Sequence, residues 1–199
     1  MLDAVRWRGD EIVLDVGCGR GALSVGAARR LVGGRTIAVE SPARLERLAR
    51  SPHGPRTNAE REGVDERLDL RAVELRSLPF GDGLFDVVMT SRLSGRHRTR
   101  EARADALGEM VRVLRPGGTL LVHDIARHRE YLEVLGRHGF LEGRRVVHAS
   151  RGRDLLLGIV SFGTYRPATL IARAPGKPRS PGSPGSRPSG TRGRRLRTS

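Results

Sequence analysis

The residues best placed to do chemistry stand between Leu14 and Gly21, which read Leu-Asp-Val-Gly-Cys-Gly-Arg-Gly. Gly17, Gly19 and Gly21 alternate with other residues directly behind an apolar run, Ile12 to Val16. Lacking Cβ atoms, they can turn tightly, take positive φ and let main-chain amides approach a nucleotide-like ligand. Asp15 places a carboxylate just ahead of the loop, and Cys18 a small thiol inside it. A second carboxylate, Glu40, ends the β-branched run Arg35 to Glu40, 23 residues after Gly17. At the tip of a strand such a group can accept hydrogen bonds from both hydroxyls of a ribose. His97, His123 and Asp124 follow later strand-like runs and are of types that accept a proton from an oxygen or nitrogen nucleophile.

Glycine-rich turns serve several ligands, and the spacing here discriminates among them. A dinucleotide fingerprint needs a third glycine at the sixth position of its motif, where this chain has Ala22. A phosphate loop needs Gly-Lys-Ser or Gly-Lys-Thr, and the only lysine is Lys177. What remains is Asp-x-Gly-x-Gly-x-Gly.

The elements that must hold these groups alternate along the chain. Strands are predicted near Glu11 to Val16, Arg35 to Glu40, Leu68 to Glu74, Phe85 to Thr90 and Thr119 to His123, with helices between them. After the first loop, Leu23, Val25, Ala27, Ala28 and Leu31 supply the small and apolar residues of a helix that Gly26 interrupts. Such alternation predicts a parallel sheet covered on both faces. A helix from His128 to Arg137 precedes two further strands, Arg144 to Ala149 and Ala168 to Arg173, expected as an antiparallel hairpin. Between them Gly152 to Pro167 is loop-like, and the apolar stretch Leu155 to Val160 is open as to type. In open α/β sheets ligands settle beyond the carboxyl ends of the strands, which gathers Gly17 to Gly21, Glu40, Glu74 and Thr90 at one rim.

The loop Asp15 to Gly21 resembles motif I of class I S-adenosylmethionine-dependent methyltransferases. Three further stretches keep that family's order: Arg35 to Glu40; Val73-Glu74-Leu75-Arg76-Ser77-Leu78-Pro79-Phe80 ahead of Phe85-Asp86-Val87-Val88-Met89; and Val111-Arg112-Val113-Leu114-Arg115-Pro116-Gly117-Gly118. The resemblance runs from Arg8 to Arg173. It implies a Rossmann-like α/β fold, with a seven-stranded, mostly parallel sheet, an antiparallel last strand and helices on both faces. It also implies S-adenosylmethionine as cofactor, no metal, and a small-molecule methyl acceptor.

By the same resemblance Gly17, Cys18, Gly19 and Gly21 wrap the methionine part of the cofactor, Asp15 helps hold its amino group, and Glu40 takes the ribose. Glu74 reads the adenine amino group, Leu75 packs on the ring, and Thr90 stands at the same rim. The methyl carbon is activated by its own sulfonium, so no acid–base pair is obligatory and no catalytic residue is assigned.

Thr57 to Val64, Arg129 to Leu135 and Gly139-Phe140 look like a bacterial subgroup related to the ubiquinone-biosynthesis enzymes. Where that subgroup has an aromatic residue with an Asp-Gln pair, and later a His-Asn pair, this chain has Ser41 to Arg47 and Ser91 to His97. Both departures fall in substrate-facing loops and keep a second reading open, a chain that binds the cofactor without turnover. The family's usual helix before the first strand is also short here, since only Met1 to Asp10 precede Glu11.

Composition sets outer bounds. The chain of 199 residues suits one domain, 1–173, and an extension, 174–199. The extension holds five Pro, five Gly, five Ser, one Lys, six Arg and no acid, so it is predicted to be disordered. The net charge of +15 is shared between extension and body, and raises nucleic acid as a third class of partner. Seven aromatics in the whole chain, none in the extension, and Thr90-Ser91-Arg92-Leu93 in place of an Asn-Pro-Pro-Tyr motif argue against base-directed chemistry. No apolar run suits a membrane span, and the lone Cys18 has no disulfide partner, so a cytoplasmic location is predicted.

Overall fold

The computed structural model describes residues 1–140, 143–147 and 168–176. Its strands are β1 (Ile12–Val16), β2 (Arg35–Glu40), β3 (Leu68–Ala72), β4 (Phe85–Ser91), β5 (Leu114–Asp124), β6 (Gly143–Val147) and β7 (Ala168–Arg173). They form one sheet in the order β3-β2-β1-β4-β5-β7-β6. The first five strands pair in parallel, and β7 runs antiparallel to both β5 and β6. The strand order reverses direction between β1 and β4, so the two diverge at their carboxyl ends and leave a crevice there.

Six α-helices among the described residues flank the sheet: α1 (Ala22–Ala28), α2 (Pro42–Ala49), α3 (Pro55–Arg61), α4 (Leu93–Arg96), α5 (Arg100–Val113) and α6 (His128–Arg137). Their starts follow local chemistry. Pro42 and Pro55 occupy first-turn positions whose N–H groups need no partner. Thr99 caps α5, its Oγ1 accepting from the Ala102 amide at 3.1 Å.

Alternate strand residues feed the two sheet faces, as a period of two requires. Leu14, Val16, Val88, Leu120 and Val122 pack with Leu107 and Met110 of α5 and with Tyr131 and Leu135 of α6. Val13, Val87, Met89 and Leu121 pack on the other side with Leu2, Ala27 and Leu31. Among the described residues no helix is long and apolar enough to cross a membrane.

Two boundaries differ from the sequence expectation by more than one residue. β3 ends at Ala72 instead of Glu74, because the chain turns there, the Ser77 amide donating to the Glu74 carbonyl at 3.1 Å. β5 begins at Leu114, not Thr119. Leu114 pairs with Phe85, the chain bulges through Pro116-Gly117-Gly118, and Thr119 re-enters register opposite Val87. Gly118 is required inside that bulge, since a Cβ would run into the Leu114 side chain and the carbonyl of Asp86. β6 is described only to Val147, and residues 148–167, like 177–199, lie outside the described residues, which takes in the Leu155 to Val160 stretch and nearly all of the extension.

Two buried polar groups fix the segment after β4, which borders the site. Asp124, a proton acceptor by type, instead clasps two helices. Its carboxylate accepts from the Ser94 amide and hydroxyl of α4 at 2.7 and 2.6 Å, and from the Tyr131 hydroxyl of α6 at 2.7 Å. Arg103 of α5 makes a two-pronged pair with Glu130, both contacts 2.8 Å, and donates to the carbonyls of His97 and Arg98. Removing one donor from a buried carboxylate typically costs about 1–3 kcal/mol. Tyr131→Phe is therefore expected to lower unfolding free energy by about 2 kcal/mol in urea titrations with an unchanged slope. A neutral result would show that Asp124 does not clasp the two helices.

Candidate functional site

The site is built where β1 and β2 end. Gly17, Gly19 and Gly21 all take left-handed φ, at 73°, 57° and 82°, a conformation that costs any residue with a Cβ. The loop does not offer its amides outward as the sequence reading expected. The amides of Gly17 and Cys18 both donate to the Val39 carbonyl, at 2.8 and 3.0 Å, and the Gly21 amide to the Cys18 carbonyl at 2.9 Å. The Gly19 amide donates to Glu40 Oε2 at 3.0 Å. What the turn presents instead is oxygen, because folding the amides inward leaves the Gly17 carbonyl and the Glu40 carboxylate facing the crevice.

A cation already lies on those oxygens. The Arg96 guanidinium donates to the carbonyls of Gly17 and Ser91 and sits 3.7 Å from Glu40 Oε2. Arg44 Nε approaches the same oxygen at 3.3 Å. A Cβ on Gly17 would land on the Arg96 side chain, so bare backbone is needed for this approach. Glu40 itself is 1% exposed and also accepts from the Ser41 amide at 3.1 Å.

Asp15 is buried beneath the loop at the end of β1. Its Oδ2 accepts from the Ser24 hydroxyl of α1 at 2.5 Å, while Oδ1 has no hydrogen-bond partner. Burial pushes its carboxyl up to about 6, against the opposing pull of Ser24 and Arg96. The Cys18 thiol is driven far up, first by burial and then by Asp15 and Glu40, so it is no nucleophile.

Past Glu40 the crevice opens into a cleft of about 430 Å³ lined by Glu40, Arg44, Glu74, Leu75, Arg96 and His97 among others. Two residues of α5 set its far wall. Glu109 accepts from the Leu78 amide at 2.8 Å, and Arg112 donates to the carbonyls of Leu78 and Phe80 at 2.9 and 2.8 Å. Phe80 meets Phe85 edge to face at 5.1 Å, so the Leu78 to Phe80 segment packs on the sheet and fixes the turn that carries Glu74 and Leu75.

The structure thus brings Gly17, Glu40, Glu74 and Leu75 around one crevice, with Asp15 buried beneath its loop. Cys18 and Gly19 line an adjoining cavity, and the Gly21 amide serves the turn itself. Thr90 is not brought there: it is fully buried and its hydroxyl donates to the Val16 carbonyl at 2.8 Å, tying β4 to β1. His123 Nδ1 lies 3.1 Å from Thr169 Oγ1 across the β5–β7 pair, away from the cleft. His97 is half-buried at the Glu74 end, and burial together with Arg76 and Arg96 holds its ring below the ordinary histidine value. Among the described residues no three His, Cys, Asp or Glu side chains group as a metal site.

Sequence reasoning missed Arg96, Arg44 and Ser24. Arg96 lies in the stretch Ser91 to His97, recognised as unusual but given no role. The available signal was its place just beyond the end of β4, on the side of the strand-order reversal.

An oxygen-lined pocket that holds a guanidinium, with a buried carboxylate beneath that has one oxygen unpartnered and another carboxylate, Glu74, at its far end, fits a cationic nucleoside and disfavours a pyrophosphate. Comparison with known proteins agrees. The profile of the methyltransferase domain matches residues 13–118. The chain belongs to that family.

A ubiquinone/menaquinone biosynthesis C-methyltransferase from Dinoroseobacter shibae is 32% identical over 127 residues, 64% of this chain and 47% of that protein. Erythromycin 3''-O-methyltransferase from Saccharopolyspora erythraea is 38% identical over 117 residues, 59% of this chain and 35% of that protein. The chain therefore spans less than half the length of these relatives. Geranyl diphosphate C-methyltransferase from Streptomyces coelicolor, solved with Mg2+, geranyl diphosphate and S-adenosyl-L-homocysteine, superposes with a TM-score of 0.65 at 19% identity, over 86% of this chain and 77% of that one. That likeness confirms the fold.

Asp15 gives the site a pH signature. Folded, the carboxyl keeps a proton up to about pH 6 that the unfolded chain releases near its ordinary value of 3.8. Its contribution to stability is therefore most favourable below about pH 4, falls as pH rises to about 6, and is level above that. The full step is about 3 kcal/mol at 1.36 kcal/mol per unit. Urea titrations across pH 4–8 are expected to show this fall in the parent minus Asp15→Asn difference. A flat difference would place Asp15 in contact with water.

Proposed function

We propose that this chain is an S-adenosylmethionine-dependent methyltransferase acting on a small-molecule acceptor. The observation that carries the reading is the Arg96 guanidinium resting on the Gly17 carbonyl and Glu40, because it marks a subsite that takes positive charge. Family membership, the glycine loop and the acids at positions 40 and 74 support the same assignment.

When bound, the cofactor supplies a methyl carbon made electrophilic by an adjoining sulfonium. The work of this chain is to hold and orient. Glu40, buried and braced by the Gly19 and Ser41 amides, is rigid enough to accept from two ribose hydroxyls once Arg44 and Arg96 turn away. Asp15 lies beneath the loop with Oδ1 unpartnered, and an ammonium group at the loop would offset the penalty for burying its charge. Glu74 and Leu75 present an acceptor and an apolar surface for an adenine. Positioning an acceptor's lone pair in line with the bond that breaks, in a crevice closed to water, supplies most of what methyl transfer needs.

Calorimetric titration of the purified chain with S-adenosylmethionine tests the reading. The parent is expected to bind, and Glu40→Gln to bind at least about tenfold more weakly, since one good charge-assisted contact is worth that much. Arg96→Met, which frees the subsite of its internal cation, is expected to tighten binding about fivefold by removing the cost of displacing it. No binding by parent and Arg96→Met alike would overturn the proposal.

A further inference from the structure

The cleft that holds Glu40 and Glu74 shares a wall with a second cavity of about 610 Å³ on the side of the glycine loop. Arg44, Arg47 and Arg96 face both spaces, and Arg20 and Arg92 complete the second. Five guanidinium-bearing side chains thus converge on a volume suited to one small molecule, with no carboxylate and no aromatic ring among the lining residues. Arg44 and Arg96 lean out of it onto Glu40. Arg20, Arg47 and Arg92 have no ion-pair partner among the described residues.

An arginine-rich chain puts cations on much of its surface, so the contrast within the molecule matters. The cavity at the opposite end of the sheet also gathers Arg6, Arg8, Arg115 and Arg173, but Glu11 and Asp86 lie among them, and Arg8 and Arg115 both pair with Asp86, at 3.2 and 2.7 Å. Those acids offset part of that cluster's charge. The cavity beside the glycine loop has no acid in its lining, and Arg92 there holds a left-handed φ of 56°, a conformation that is costly for a residue with a Cβ.

We infer that this cavity receives the methyl acceptor through a phosphate or diphosphate group. The inference rests on the methyltransferase reading and adds the chemical class of the acceptor. Guanidinium forks bind phosphate oxygens in pairs, and a dense multivalent anion matches five convergent cations better than one carboxylate does. The position also couples the two ligands. A phosphate group draws Arg44 and Arg96 off Glu40, which frees that carboxylate for the ribose, and the cofactor in turn releases the same arginines toward the phosphate. Such coupling is reciprocal by necessity.

Inorganic pyrophosphate is the probe, titrated calorimetrically into the full chain at constant ionic strength, with and without S-adenosylmethionine. Pyrophosphate is expected to bind, to tighten cofactor binding about tenfold, and to be tightened equally by it. Arg20→Gln combined with Arg92→Asn, two exposed positions outside the cofactor cleft, is expected to weaken pyrophosphate at least tenfold while cofactor affinity measured alone stays within twofold. Cofactor binding without pyrophosphate binding, an equal response to acetate, or an unchanged pyrophosphate affinity in the double variant would overturn the inference and leave the methyltransferase reading standing. Tighter binding of a ten-nucleotide single strand than of pyrophosphate, lost in the same variant, would overturn it in favour of a nucleic-acid surface. Loss of cofactor binding in the parent would instead remove the reading beneath it.

Discussion

The site depends on a single conformational constraint, the requirement that the chain after Val16 turn its amides inward. Two of those amides share one carbonyl on the neighbouring strand, that of Val39, and a third grips the Glu40 side chain. The geometry needs left-handed φ at positions 17, 19 and 21, which glycine adopts without steric cost. With those three donors consumed, the turn meets the crevice with the Gly17 carbonyl and the Glu40 carboxylate. A crevice with that polarity attracts cations and ribose hydroxyls and repels phosphate, although it sits at the place in the sheet where other α/β proteins bind dinucleotides.

The remainder of the fold holds that turn in register with two neighbouring segments. Asp124 gathers α4 and α6, and Arg103 fixes the backbone of His97 and Arg98, so that the segment carrying Arg92 and Arg96 is anchored at both ends by buried groups. Glu109 and Arg112 do the same for the turn carrying Glu74 and Leu75. Each of these clasps uses α5 or the end of β5. The sheet face opposite α1 therefore does more than bury apolar surface: it sets the distance between the two acids of the cleft. The arginines at 44 and 96 then occupy an acidic subsite in the absence of a stronger cation, which gives a basic chain a way to keep buried carboxylates compensated.

Much of this was legible in the residues. Strand positions followed from apolar runs bounded by glycine and proline, and the acids at 15, 40 and 74 fell where strand ends gather. The failures share a cause, since pattern gives position along the chain but not the direction of a polar group. The loop amides proved to be spent on Val39, Thr90 turned its hydroxyl to Val16, and Asp124 faced two helices, not the crevice. Leu114 joined β5 through a bulge because Phe85 offers it a partner across the sheet, a pairing that no local signal encodes. Arg96 was invisible for a similar reason: among so many arginines, only its contact with the Gly17 carbonyl distinguishes it.

The polarity of the crevice is tested most directly by comparing thermal unfolding midpoints with S-adenosylmethionine and with NAD at equal concentration in the Arg20→Gln, Arg92→Asn variant, whose arginine cavity no longer competes for the diphosphate. A ligand that binds only the folded chain at a hundred times its Kd adds about 2.7 kcal/mol of stability, enough to raise the midpoint by several degrees. The expected result is a rise with S-adenosylmethionine and none with NAD. A rise with NAD alone would contradict an oxygen-lined, cation-selecting site.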